Sequence, residues 1–151
     1  MTSQAPTPGR TQRIELRNDR SAIESLERRV LEAVEDAGYP EASRFAVRLA
    51  LEEAVVNAFR HGHRQLPEDT PIDVSWEVTP DRATIIVRDR GSGFEPGCVP
   101  DPTLDENLEC PTGRGLMLMR AYMTEVRHNK AGNEVTMIYD RGAEERKRAA
   151  E

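Results

Sequence analysis

Residues 41–61 read as one helix that is apolar over much of its circumference, through Phe45, Val47, Leu49, Leu51, Val55, Val56 and Phe59. A helix apolar on several sides is expected to be buried on several sides, so other elements must be layered around it. Yet Glu52, Glu53 and Asn57 fall in its C-terminal half. Polar groups inside a segment patterned for burial are a local conflict, and such conflicts tend to mark function.

The segments on either side supply those layers. Residues 12–17 alternate and predict a short strand. Ser21 and Glu24 stand at capping-box spacing ahead of Ile23, Leu26, Val30, Val34 and Ala37, which recur at helical spacing. Gly38 and Pro40 end that first helix. Ile72, Val74 and Trp76 alternate with polar residues, Thr79 to Arg82 reads as a turn, and residues 83–88 return as the second strand of a hairpin. Residues 89–112 show no periodicity, and a loop this long inside a compact domain is usually functional or mobile. A third helix over 115–122 and a last hairpin over 125–129 and 134–139 complete the pattern. The order β-α-α-β-β-loop-α-β-β predicts an α/β (α+β) two-layer sandwich, with helices on one face of a mainly antiparallel sheet. Residues 1–10 read as a disordered tail, 11–140 as one domain, and 141–151 as a charged C-terminal tail or a frayed helix.

The chain has 151 residues, which fits one core. Its 21 Lys and Arg against 27 Asp and Glu give a formal charge of -6, and only 5% of residues are aromatic. An acidic chain without a basic, aromatic-interleaved run repels a phosphate backbone, so direct nucleic-acid binding is not expected. No apolar run is long enough to span a bilayer, and residues 1–9 lack the features of a signal peptide. The expected location is the cytoplasm. Cys98 and Cys110 both fall in the long loop and read as ordinary reduced thiols. His61 and His63 read as helix termination and packing, Trp76 as a core or sheet-face residue, and Met117, Met119 and Met123 as packing.

Three short constellations carry chemistry. Glu53 and Asn57 are spaced i, i+4, one turn apart on one helical face, with the small residues Ala46 and Ala50 on the same stripe. An amide oxygen suits magnesium, which keeps waters and binds substrate phosphates, and a carboxylate one turn away can accept a proton. The same spacing also suits a plain hydrogen-bonded pair. Asp89-Arg-Gly91-Ser-Gly93-Phe94 follows directly on a strand. Its Asp can accept from an amino group such as that of adenine, and its glycines let the backbone approach a ligand. Thr112-Gly113-Arg114-Gly115 opens a helix, where free N–H groups and the dipole favour phosphate and Arg114 can add a charge-assisted bond. Each segment alone also reads as an ordinary turn or junction; the combination in this order is far more specific.

In that combination, Glu53-Ala-Val-Val-Asn57, Asp89-Arg-Gly91-Ser-Gly93-Phe94 and Gly113-Arg-Gly115-Leu-Met resemble the N, G1 and G2 boxes of GHKL-type ATPases. Asn57-Ala-Phe-Arg-His61-Gly62, the segment from Gly113 to Val126 and Gly132-Asn-Glu-Val-Thr136-Met137 are similar to the stand-alone bacterial anti-sigma-factor serine/threonine protein kinases. The resemblance runs roughly from Arg13 to Asp140. It implies the Bergerat fold with a mixed, mainly antiparallel sheet, and ATP or ADP with Mg2+ as cofactors. It implies Glu53 as general base, or as the group that orients the nucleophile, and Asn57 as the magnesium ligand. Asp89 would read the adenine amino group, with Gly91 and Gly93 shaping its pocket and Thr136 assisting. Gly113, Arg114 and Gly115 would contact phosphate, and residues 95–111 would form an ATP lid. It implies a STAS-domain antagonist as phosphorylation target, a sigma factor as a further partner, and room for a homodimer. The competing reading is a nucleotide-sensing module that sequesters a partner without kinase activity.

Overall fold

The computed structural model describes residues 11–62, 66–91 and 113–150. The elements run β1 (Gln12–Leu16), α1 (Arg20–Asp36), α2 (Glu41–Asn57), a π-helical turn (Ala58–Gly62), β2 (Ile72–Val78), β3 (Arg82–Arg88), α3 (Gly113–Tyr122), β4 (Glu125–His128), β5 (Glu134–Asp140) and α4 (Arg141–Ala149). The five strands form one sheet in the order β1-β2-β3-β5-β4.

Every neighbouring pair among the described strands is antiparallel, where a mixed sheet was expected. The connections explain it. Two helices separate β1 from β2, so the chain returns at the sheet end it left and β2 runs opposite to β1. A single described helix separates β3 from β4, which therefore point the same way, but β5 inserts between them. No two adjacent strands are left parallel.

Alternation gives the sheet two unlike faces. Ile72, Val74 and Trp76 of β2, Ala83, Ile85 and Val87 of β3, and Val135, Met137 and Tyr139 of β5 are all buried on the inner face. They share one core with Leu26, Val30 and Val34 of α1, with Val47, Leu51 and Val55 of α2, and with Leu116 and Met119 of α3. Burying such side chains contributes roughly 1.5–3 kcal/mol each, which makes this layer contact the main stabiliser of the fold. The chain is thus an α+β two-layer structure. No described helix is long and apolar enough to cross a membrane.

Several local expectations need correction. The N-cap of α1 is Asp19, whose Oδ2 accepts from Ala22 N–H at 3.1 Å, and Ser21 lies inside the first turn. Asp19 is in an extended conformation directly after the strand exit, so the helix nucleates before Ser21 can cap it. Glu24, freed from a capping box, takes Arg20 Nε at 3.3 Å. The stop is as read: Gly38 adopts a φ of 84°, and Pro40 follows as N-cap of α2. α2 is not covered all round. Phe45 is 58% and Val56 51% exposed, because α1, α3 and the sheet take up the other sides. Met119 and Met123 are core residues and Met117 is 61% exposed. Trp76 is buried, with the Arg29 guanidinium 5.1 Å from its ring.

The segment read as a charged tail forms α4. Asp140 caps it by accepting from Ala143 N–H at 3.1 Å, Thr124 Oγ1 donates to Glu144 at 2.9 Å, and Arg141 lies 5.2 Å over the ring of Tyr39. Cys98, Cys110, His63, residues 1–10 and the proposed lid over 95–111 lie outside the described residues.

Candidate active site

α2 packs against α3 and against β3, so the elements bearing the three sequence constellations adjoin one another. Asn57 is the last α-helical residue of α2, and the backbone passes at once into a π-helical turn. Such local widening is frequent at functional sites. Glu53 sits one turn earlier, half-buried, and Ala46, Ala50 and Ala54 continue the stripe as buried small residues. Glu52 next to it is held by Arg48 at 3.2 Å, whereas Glu53 makes no ion pair among the described residues.

Asn57 Nδ2 is buried and has no hydrogen-bond partner among the described residues. Leaving such a group dry costs about 1–3 kcal/mol, so it calls for an explanation beyond packing. A buried N–H donor kept without a partner fits an acceptor oxygen brought by a ligand, such as a phosphate or a water of a hydrated cation. No cluster of three or more His, Cys, Asp and Glu that could hold a metal ion forms among the described residues.

Asp89 follows β3 and continues the inner-face series of Ala83, Ile85 and Val87. It is 8% exposed and is one of two buried polar residues found beside the core. Its Oδ1 accepts from Gly91 N–H at 2.8 Å, and its own N–H donates to the carbonyl of Asn133 at 2.9 Å. Burial pushes its carboxyl up to about 6, against the opposing pull of the Gly91 N–H, the Arg88 charge and its own N–H. Among the described residues no hydrogen bond reaches the second carboxylate oxygen, which can accept a donor. Arg90, the next residue, turns to Glu15 at 3.0 Å and Asp73 at 3.4 Å on the outer face.

α3 begins at Gly113, two residues earlier than expected from the sequence. Gly113, Arg114 and Gly115 therefore form the first turn of the helix. The side chain of Arg114 and the whole of Gly93 lie outside the described residues. Thr136 is not brought to Asp89. It pairs across β5 with Ile86 and Arg127, on the outer face, while Val135 and Met137 take the inner one. A one-residue step along a strand reverses the face, so the neighbours of Asp89 on this side are Asn133, the residue before β5, and Val135. Asn133 was legible only as a turn residue. Its i, i+4 relation to Asn129 around Gly132 is the one signal that pointed further.

Residues 17–139 match the family model described as the histidine kinase-like ATPase domain. The serine-protein kinase RsbW of Staphylococcus epidermidis is 31% identical over 98 residues, 60% of this chain and 62% of that protein. The RsbW of Staphylococcus aureus is 29% identical over 97 residues, 60% of this chain and 61% of that protein. The matched part thus spans about three fifths of the length of these relatives. A crystal structure of the RsbU and RsbW domains of a Mycobacterium tuberculosis protein superposes with a TM-score of 0.59 at 21% identity, over 90% of this chain and 32% of that one. This last likeness concerns the fold. With the family model covering most of its length, the chain belongs to the histidine kinase-like ATPase domain family.

Proposed function

We propose that this chain is an ATP-dependent serine/threonine protein kinase of the anti-sigma-factor type, acting in the cytoplasm by partner switching. It would phosphorylate a STAS-domain antagonist and hold a sigma factor when that antagonist is modified. The observation that carries the reading is the buried amide nitrogen of Asn57, without a partner among the described residues, one turn after Glu53 on a helix adjoining both β3 and α3. The RsbW relatives bear the name serine-protein kinase, which supports the reaction class.

The residues would divide the work as follows. Asp89 offers its free carboxylate oxygen to the adenine amino group, and Gly91 and Gly93 bring the backbone close to the base. Gly113, Arg114 and Gly115 hold phosphate at the start of α3. Asn57 supplies an amide oxygen to Mg2+, which when bound offsets the charge of the phosphates in an acidic protein. Glu53 takes the proton from the partner's serine or threonine hydroxyl as its oxygen bonds to the γ-phosphorus; the bond to the β-phosphate oxygen breaks and ADP leaves. Thr136 has no part in this scheme.

Glu53→Gln separates transfer from binding. It should keep ATP affinity and partner binding near those of the parent and lower the phosphorylation rate of a STAS-domain partner by about 100-fold or more. An unchanged rate would remove Glu53 from the chemistry. A parent chain that grips the partner and ATP but never transfers phosphate would favour the nucleotide-sensing module instead.

A further inference from the structure

The turn between β4 and β5 holds more hydrogen bonds than a hairpin needs. Asn129 Oδ1 accepts from the N–H groups of Gly132 at 2.8 Å, Asn133 at 3.1 Å and Glu134 at 3.2 Å. Asn129 Nδ2 donates to Asn133 Oδ1 at 2.7 Å. Gly132, with a φ of 77°, lets the chain turn tightly enough for one oxygen to gather all three. Asn129 thereby fixes the rotamer of Asn133, and the remaining polar groups of Asn133 face β3. Its carbonyl accepts from Asp89 N–H at 2.9 Å and its Nδ2 donates to Gly91 C=O at 3.5 Å. The Gly91 residue is thus tied at both polar groups, its N–H to Asp89 at 2.8 Å and its C=O to Asn133.

We propose that Asn133, locked by Asn129, is a positioning residue for base selection, holding Gly91 so that its N–H occupies one oxygen of Asp89 and leaves the other aimed at an amino group. This rests on reading Asp89 as the adenine acceptor. Adenine offers an amino donor where guanine offers a carbonyl acceptor, so a fixed, ionised carboxylate accepts the first and repels the second. A carboxyl group freed from Gly91 could rotate, and once protonated it could donate to guanine. The clamp therefore sets base preference and also opposes protonation, since the Gly91 N–H lowers a carboxyl that burial raises. Few charges compete in that role. Arg88 acts from the same strand; Asp73 of β2 and Glu134 of β5 lie in register with Arg88. On the inner face His128 of β4 is held toward neutrality by burial and by Arg120, and Glu53 lies on α2.

The test is calorimetric titration of Mg-ATP and Mg-GTP into the full chain, from about pH 5 to about pH 8, for the parent, Asn133→Ala and Asn133→Asp. Asn133→Ala removes both side-chain bonds; Asn133→Asp keeps an acceptor for Asn129 and removes the donor to Gly91. ATP affinity should fall roughly five- to tenfold in Asn133→Ala, with GTP changing less. The pH below which ATP binding weakens should move upward. Asn133→Asp should show the same narrowing of base preference, which a residue serving the turn alone would leave untouched. An Asn133→Ala chain with the parent's ATP-to-GTP ratio and pH midpoint overturns the proposal, whatever its melting temperature. If that chain does not fold, a parent-like ratio in Asn133→Asp overturns it equally. A parent that binds neither nucleotide removes the nucleotide-site reading itself.

Discussion

At the scale of single residues, the site is marked by groups that the fold holds at a cost. Asp89 is the clearest. Its carboxyl is raised from 3.8 to about 6 by burial, so the folded chain binds that proton more tightly than the unfolded chain does. The ionised form therefore penalises folding above about pH 6, and the penalty fades as pH falls through that value toward the ordinary carboxylate range. Asn at this position removes the charge and keeps an oxygen for Gly91. Asp89→Asn should gain about 1–3 kcal/mol of stability near neutral pH and almost none in acid, measured by denaturant titration at both. The same substitution should weaken ATP binding, because one amide cannot offer two acceptor oxygens. A variant that loses stability at neutral pH while losing ATP would place Asp89 among structural residues instead. Asn57 follows the same logic with a neutral group: its amide nitrogen, without a partner among the described residues, is a standing cost that an acceptor oxygen of a ligand relieves.

At the scale of elements, most of what the sequence promised is present, and the exceptions have local causes. The hydrophobic period located both long helices and all five strands, because alternation and the 3.6-residue repeat report burial directly. Periodicity fails where two residues compete for one job. Asp19 and Ser21 are both able caps, and the backbone conformation after β1 decides between them. Asp19→Ala should therefore destabilise by about 1 kcal/mol, and Ser21→Ala should be near neutral, both read from chemical denaturation. The reverse ranking would restore the capping box. The site motifs were legible as residue types in order. Their placement was not, because face depends on strand register. Thr136 matched a motif yet stands on the outer face, and Asn133, seen only as part of a turn, bonds to Asp89 and Gly91.

At the scale of the whole molecule, the layers explain why these residues meet. The antiparallel sheet lends one face to the core and ends that face, along β3, with Asp89. The helices lie over the same face, and α2 reaches its last turn at Asn57, alongside α3. The elements that carry Asp89, the Glu53 and Asn57 pair, and Gly113 thus adjoin one another, since α2 packs against both β3 and α3. The acidic balance of the chain, with a formal charge of -6, leaves phosphate binding to local groups rather than to the overall field. The role proposed for Asn57 therefore predicts nucleotide binding that depends on the metal. The most direct measurement is thermal unfolding of the parent and Asn57→Ala with ATP, with and without magnesium. A ligand confined to the folded state stabilises by about 2.7 kcal/mol at a hundredfold excess over its dissociation constant. The parent should show a rise of that order that needs magnesium, and Asn57→Ala should lose it while folding normally without ligand. An equal, magnesium-independent rise in both chains, or none in the parent, would contradict an ATP site organised around Asn57.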